Sequence, residues 1–524
     1  MDHSEDPLHF AAGKDRPLEV SIADFGARLD DLGFHLEERA WLHPVPGVFS
    51  VNLADRASPL YTNGKGPTPE AARASALGEF VERLASGYFF ADHYLGPDLA
   101  AAEWVHLPEE RWLPTDGIDL PEGLLDESLL DHYDPAGELR PEHLVDGNSG
   151  RFDRGICCQP LERQRDGAVR WFPVSLIAGL YASNGLSAGN TAAEARVQGL
   201  SEVFERHAKT RLIAEGWCPP EVPVRVLDRF PGIRSGIREL EGHGFRMRVV
   251  DASLGGRFPV AGMILSNPAD GGVFASFGAH PSLGIALERA LTELLQGRGL
   301  EGLAGFPTPT SDREAVADPA NLEAHFIDSS GQVLWDLLRD EPDYPFQDWD
   351  LTTDNQTAWN HLLDIAHREG GDVFVADYGH LGVSACRIVV PGLSEIYPVE
   401  DLWLNNANEG AYFRESLLRL PGSSPEAWGE LLEALEEGGH NDFQTVAEFI
   451  GVVPDPGTAW ETLRLGELKA WLGIACGDRE AASDWVDWTL LAGQLGPERH
   501  QVFQALRALL DLEAEGSDPT RFRR

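Results

Sequence analysis

An internal repeat constrains this chain more than any other feature. The stretch "SNGLSAGNTAAEARVQGLSEVFERHA" (Ser183 to Ala208) matches "GPTPEAARASALGEFVER" when slid back by 123 positions, so that Gly189 meets Gly66. Thr191 then meets Thr68, Ala195 meets Ala72, Arg196 meets Arg73 and Leu200 meets Leu77. Glu202, Glu205 and Arg206 meet Glu79, Glu82 and Arg83. In each copy a predicted strand leads into a glycine turn, and the threonine stands where its hydroxyl can cap a helix. A more degenerate third copy, "HPSLGIALERALTELLQGR", puts Ser282 in the threonine place, Leu291 in the leucine place and Glu293 and Gln296 in the glutamate places. It also brings Glu288, Arg289 and Arg298. Repeated units of hairpin, glycine turn and helix predict a mixed α+β fold.

The spacing carries chemistry. Residues at i and i+3 share a helix face, so Glu79 and Glu82 point together, as do Glu202 and Glu205. Glu194, Gln198 and Glu202 add a line at i, i+4 and i+8. Carboxylates gathered on one face repel unless a positive charge neutralises them. Hard cations take oxygen ligands, and Mg²⁺ suits one or two carboxylates together with substrate phosphates. Helix starts offer free N–H groups to phosphate, and Arg83, Arg206 and Arg289 can pair with phosphate oxygens. One E-x-x-E-R alone is an ordinary solvated helix face; its recurrence after a glycine turn favours a binding site.

A competing reading starts from Gly185-Leu-Ser187-Ala-Gly189, which fits the G-x-S-x-G pattern of a hydrolase elbow. The first copy has Lys65-Gly66-Pro67-Thr68 at the turn, so the serine is not a shared element. No His-Gly-Gly stretch precedes it, although His207, His280 and His380 are available as bases. The expectation is that Ser187 is a turn residue whose hydroxyl binds backbone or nucleotide.

The remaining composition sets bounds. With 524 residues, 43% hydrophobic and 24% charged, the chain can bury a large core in more than one domain. Its net charge of −43 reads chiefly as a solvated acidic surface and argues against direct binding of nucleic acid. Five cysteines without a C-x-x-C, and no H-E-x-x-H, give no zinc pattern. The acidic start "MDHSEDPLHFAAGKD" and the lack of a long apolar run predict a cytoplasmic protein without membrane insertion. Ser21 reads as the cap of a helix that Gly33 ends. "VFSVNLADRASPLYTNGKG", "FPVAGMILSNPADGGVFASFGAH" and "DVFVADYGHLGVSACRIVVPG" read as hairpins, and "GAVRWFPVSLIAGLYASNG" as a strand entering a glycine turn. Beyond Asp401 strands stop. "LRLGELKAWLGIACGDREAASDWVDWTLL" reads as two helices around Gly477-Asp478, a tetratricopeptide-like unit that "PERHQVFQALRALLDL" continues. The stripe of Leu465, Leu468, Trp471 and Leu472, with Trp485 and Trp488, is expected to be buried between helices. With no Gly/Ser linker before it, this tail is expected to brace the rest of the chain.

These motifs together resemble the YcaO family, whose ATP site has neither a Walker loop nor a kinase fold. Its S-x-x-x-E-x-x-E-R appears as Ser75, Glu79, Glu82 and Arg83. Its E-x-x-x-Q-x-x-x-E-x-x-E-R appears as Glu194, Gln198, Glu202, Glu205 and Arg206, and its E-R-x-x-x-E as Glu288, Arg289 and Glu293. "AGKDRPLEVSIADF", "GICC" and the helical tail are similar to an enterobacterial member. The resemblance implies an ATP- and Mg²⁺-binding domain over residues 1–400, with core motifs in 61–300, and a helical domain over 401–524. It implies Glu79, Glu82, Glu202, Glu205 and Glu194 as metal residues. Lys14, Ser21, Ser75, Arg83, Asn190, Gln198, Arg206, Glu288, Arg289 and Glu293 are implied as the ATP-binding set; no catalytic residue is assigned. Family members use ATP to phosphorylate a backbone amide oxygen, and attack on the activated carbon yields azolines, thioamides or amidines. The enterobacterial member is associated with β-methylthiolation of an aspartate in a small-subunit ribosomal protein, alongside a radical methylthiotransferase. Azoline-forming members end in Pro-x-Pro-x-Pro, whereas this chain ends "GSDPTRFRR". The first expectation is therefore support of that ribosomal modification. Direct backbone-amide activation on another peptide and a nucleotide-gated adaptor with a docking tail are the alternatives. Oligomeric state is open, a homodimer included.

Overall fold

The computed structural model describes residues 9–58, 60–90, 105–145, 154–402, 409–452, 454, 457–492 and 495–516. The terminal "GSDPTRFRR" lies outside them from residue 517 onward. The described residues fall into two units, one ending at residue 402 and one starting at residue 409.

The first unit opens with helix α1 (Leu18–Asp31), which ends ahead of Gly33 at φ +91. Ser21 does not cap it. Pro17 precedes the helix, and Ser21 is buried in its first turn with its Oγ 3.1 Å from the Pro17 carbonyl. Three antiparallel strands follow, β1 (Leu36–Val45), β2 (Val48–Asp55) and β3 (Tyr61–Gly66), and then helix α2 (Pro69–Ala85). A six-stranded antiparallel sheet runs β4 (Arg111–Leu113), β5 (Ile156–Arg163), β11 (Phe374–Tyr378), β12 (Ser384–Val389) and β7 (Leu186–Gly189), with β6 (Val169–Pro173) paired to β5. Between β6 and β7 lies helix α3 (Val174–Tyr181), not a continuous strand. The run "VSLIAGLY" has Ser175 as its one hydrophilic aliphatic residue and no period to separate strand from helix. Helix α4 (Ala192–Glu215) follows β7. A third sheet joins β8 (Arg246–Asp251), β9 (Val260–Ser266) and β10 (Val273–Ala279), and helix α5 (Leu283–Leu294) follows β10. Helix α6 (Asn355–Arg368) precedes the hairpin β11–β12.

The repeat closes into a ring. Helix α2 packs on its own hairpin β2–β3 and also against β7 and β12. Helix α4 packs on β7 and β12 and against β10 and β9; α5 packs on β10 and β9 and against β3 and β2. Each motif helix thus rests on its own hairpin and leans on the next. In the second copy the hairpin partner of β7 is β12, supplied by chain almost 200 residues later.

Glycines bring strand and helix this close. A Cβ on Gly64 would lie 2.0 Å from the Ala72 carbonyl, and one on Gly278 would lie 2.3 Å from the Ala286 carbonyl. Hydroxyls fasten the same seams: Thr62 donates to the Ala76 carbonyl at 2.9 Å and Ser276 to the Ala290 carbonyl at 2.7 Å. Every residue of β10 is buried because the sheet is covered on both faces. Phe274 packs with Leu287 and Leu291 of α5, while its neighbours Ala275 and Phe277 join Val203 and Phe204 of α4 in the opposite core.

The second unit is helical: α7 (Glu409–Leu418), α8 (Pro425–Glu437), α9 (Leu465–Cys476), α10 (Arg479–Leu491) and α11 (Pro497–Ala514). Helix α9 packs against α8 and α10, and α10 against α11. Gly477, at φ +86, ends α9, and the Asp478 side chain accepts from Ala481 N to cap α10. Leu465, Leu468 and Leu472 are buried as the stripe predicts, whereas Trp471 is 38% exposed. Trp485 and Trp488 are half-buried, with ring centroids 5.9 Å apart. No described helix of the chain is long and apolar enough to cross a membrane.

Candidate functional site

The start of α4 holds the segment that precedes α1. Thr191 caps α4, accepting from Glu194 N, and its hydroxyl also donates to the Asp15 carboxylate. Glu194 is buried and accepts four bonds: Lys14 Nζ at 3.1 Å, Asp15 N at 2.9 Å, and Asn190 Nδ2 at 3.2 Å and 3.0 Å. Ser21 Oγ donates to Asn190 Oδ1 at 2.7 Å. Lys14, Ser21, Asn190 and Glu194 therefore form one network. Glu194, predicted as a metal residue, has both carboxylate oxygens engaged by this strap. Asn355 adds bonds from α6 to the Gly13 carbonyl (3.1 Å) and to Asp15 (2.8 Å).

Helices α2 and α4 both pack on β7, which brings their carboxylates near enough for Glu202 to act on Glu82. Glu79 lies 3.4 Å from Arg83, Glu82 lies 3.6 Å from Arg83, and Glu202 lies 2.9 Å from Arg206. Burial pushes the Glu82 carboxyl up to about 8; Glu202 and Glu79 add to the shift and Arg83 opposes it. Burial likewise raises Glu205, with Lys65 the strongest opposing charge. Arg83 stacks over Tyr88 at 4.2 Å and leaves Nη1 buried without a partner. Among the described residues no three acidic, His or Cys groups are arranged to hold a metal ion as they stand; Glu79, Glu82 and Glu202 lie against arginines instead.

From the third copy, Arg289 donates to the Ala279 carbonyl at 2.7 Å and to Gln198 Oε1. Ser75, Gln198 and Arg289 occupy the same position of the three helices, seven residues past Thr68, Thr191 and Ser282. The last two meet directly, while Ser75 is half-buried on α2. Glu288 is raised by burial and opposed by Arg289; Glu293 pairs with Lys65. Ser282 does not cap α5 with its side chain. The Leu283 N–H and the Ser282 hydroxyl both donate to Asp350 instead, at 3.1 Å.

Several residues at this site were not predicted. Lys65 and Asp15 have been described. Lys209, one turn after Glu205, is buried, donates to the His325 carbonyl and to Ser329 Oγ (3.2 Å), and is lowered by burial to about 7. Arg387 of β12 is buried, bonds the Ala182 and Asn184 carbonyls at 2.7 and 3.0 Å, and has an unpartnered Nε. The sequence signal for Lys65 was its place against the repeat, where the other copies have Ala188 and Ala279.

The hydrolase elbow fails. Ser187 is fully buried in β7, donates to the Ala195 carbonyl at 2.6 Å and meets Cys386 Sγ at 3.2 Å. Its hydroxyl ties strand to helix, so it offers no exposed nucleophile, and among the described residues no histidine is hydrogen-bonded to it as base.

Residues 63–394 match the family model described as YcaO cyclodehydratase, ATP- and Mg²⁺-binding. The chain belongs to the YcaO family. Residues 410–523 match the model for the YcaO cyclodehydratase C-terminal domain. The chain is 51% identical to the ribosomal protein S12 methylthiotransferase accessory factor YcaO of Escherichia coli, over 97% of this chain and 87% of that one. It is 49% identical to an uncharacterised protein of Haemophilus influenzae, over 98% and 89% respectively. Among solved structures, YcaO from Methanopyrus kandleri bound with AMPPCP and Mg²⁺ aligns at TM-score 0.45 and 19% identity, covering 74% of this chain and 94% of that one. ATP and Mg²⁺ are thus the cofactors of this YcaO chain. The residues present fit them: half-buried hard oxygen donors gathered on neighbouring helices, and an arginine with a free buried N–H, are what a phosphate-bound Mg²⁺ satisfies.

Proposed function

We propose that this YcaO protein supports β-methylthiolation of an aspartate in ribosomal protein S12, together with a radical methylthiotransferase. One observation carries the reading: the 51% identity to the E. coli accessory factor runs over 97% of the chain, so it includes the helical region as well as the ATP-binding core. Glu79, Glu82, Glu202 and Glu205 are the carboxylates for Mg²⁺, with Glu194 organising the strap beside them. Ser75, Arg83, Asn190, Gln198, Arg206, Glu288, Arg289 and Glu293 form the nucleotide side. Bound ATP supplies a transferable phosphoryl group, whose transfer is helped mainly by positioning and charge neutralisation. Within the chain, Arg206 and Arg289 orient phosphate oxygens, and Lys14 and Ser21 close the strap over the site and exclude water. The five free cysteines accord with a cytoplasmic site of action.

The family description as a cyclodehydratase favours a second reading, direct phosphorylation of a backbone amide on another peptide. Both readings use the same site and differ in product. In E. coli lacking its own accessory factor, this chain should restore the β-methylthio group on S12, read by mass spectrometry, and Glu202→Gln should not. Failure to restore it by a folded chain that binds Mg·ATP would move the assignment to the second reading. ATP binding without turnover in the presence of the substrate would favour an adaptor.

A further inference from the structure

Lys65 has no cationic counterpart in the other two copies of the repeat. It stands near the end of β3, where the other copies carry Ala188 and Ala279. Its ammonium donates to Gln296 Oε1 at 2.9 Å and pairs with Glu293, so it crosses from the first copy to the third. Gln296 Nε2 in turn donates to the Asn63 carbonyl at 2.6 Å, fastening the same seam from the other side. The first two copies place an arginine directly after the second glutamate, Arg83 and Arg206, while the third has Gly297 there. Lys65 supplies the third copy with the cation it lacks.

Its influence extends into the ring. Lys65 is held directly by Glu293, and Glu205, Glu79 and Glu202 also oppose the burial that lowers its pKa. The charge acting most strongly on Glu205 is Lys65. Glu79, Glu82 and Glu202 each have an arginine within ion-pair distance, whereas Glu205 makes no direct ion pair among the described residues. With Glu293, which Lys65 pairs, five carboxylates of the repeat, Glu79, Glu82, Glu202, Glu205 and Glu293, thus stand against four cations, Arg83, Arg206, Arg289 and Lys65. Charges a few Å apart in a partly buried site interact by several kcal/mol in order of magnitude. A ring so nearly balanced has little to offer a bare divalent ion.

We propose that Lys65 is the resident counter-cation of the carboxylate ring and makes Mg²⁺ binding depend on the phosphates of the nucleotide. This rests on the reading that the ring is the Mg²⁺ site. Removing the ammonium leaves Glu293 without its ion-pair partner and the ring with one positive charge fewer, and the ring then takes Mg²⁺ without ATP. Calorimetric titration of Mg²⁺ alone should give Lys65→Met at least about tenfold tighter binding than the wild type. Lys65→Arg keeps the charge and should match the wild type. Unchanged Mg²⁺ affinity in folded Lys65→Met overturns the proposal. A Lys65→Met protein that misfolds and is not rescued by excess Mg²⁺ also overturns it, because one cation can replace another whereas a packing residue cannot be replaced by an ion. Rescue of such a protein by Mg²⁺ supports it. The underlying site is tested separately with Glu202→Gln: if that variant binds Mg·ATP as the wild type does, the ring is not the metal site, whatever Lys65→Met shows.

Discussion

Glu82 shows at the scale of one residue what the ring costs the empty protein. Folding raises its carboxyl from an ordinary 4.5 to about 8. Between those values the folded chain keeps a proton that the unfolded chain has released. The stability contributed by this group is fully present below about pH 4.5 and is lost as pH rises through about 8. Metal-free protein should therefore melt at falling temperature across that window, and Glu82→Gln should flatten the trend. An unchanged slope in the variant would place the titration elsewhere. Glu79→Gln and Glu202→Gln should lose Mg·ATP binding in calorimetry while remaining folded. Ser187→Ala should cost about 1 kcal/mol of stability for a lost internal hydrogen bond, with ATP affinity kept within about tenfold. Labelling of Ser187 by a fluorophosphonate would revive the hydrolase reading. The ring's glutamates and arginines were legible in the sequence because helical spacing alone puts Glu79 beside Glu82 and Glu202 beside Arg206. Lys65, Asp15, Lys209 and Arg387 were not, because each finds its partner on another copy or another segment.

At the scale of elements, the glycine turn matters through the approach it permits. Gly64 and Gly278 sit in strands that helices α2 and α5 almost touch, whereas Gly26 in α1 has nothing within 4 Å of an added Cβ. The same change should therefore act in opposite directions. Gly64→Ala forces a methyl group into the Ala72 carbonyl and should destabilise by about 1–3 kcal/mol or more. Gly26→Ala should stabilise by about 0.5–1 kcal/mol, since alanine is the better helix former. Denaturant melts of the two variants check this, and equal effects would remove close approach as the reason for the motif. The sequence displayed the hairpins β2–β3, β9–β10 and β11–β12 through alternation and turn residues. It did not display that β12 completes the second copy, because pairing across almost 200 residues leaves no local trace. Nor did it separate α3 from a strand, since a short, mostly apolar run fits either.

Over the whole molecule, the net charge of −43 makes the folded state self-repelling, so added salt should raise the melting temperature in the Glu202→Gln variant as much as in the wild type. A gain specific to Mg·ATP and lost in Glu202→Gln separates the bound cofactor from this background. The described apolar clusters divide as the chain does. Phe274, Phe277 and their partners draw on residues before 400, while Leu417, Leu432, Leu435, Ile450 and Leu465 pack among themselves, as do Ala470, Ala482, Val486, Phe503 and Leu510. Sequence reading favours a tail that braces the protein, in which case truncation at residue 400 should aggregate, and a soluble fragment that binds ATP would make the tail a docking module. The complementary fragment asks a different question. Residues 409–516 span roughly a hundred residues, enough for one autonomous core. They also have their own caps, with Ser424 on α8 and Asp478 on α10 each accepting a backbone N–H. Expressed alone, this fragment should keep its helical circular dichroism and melt in one cooperative transition. A gradual, non-cooperative melt would mean that its helices depend on the rest of the chain for their order.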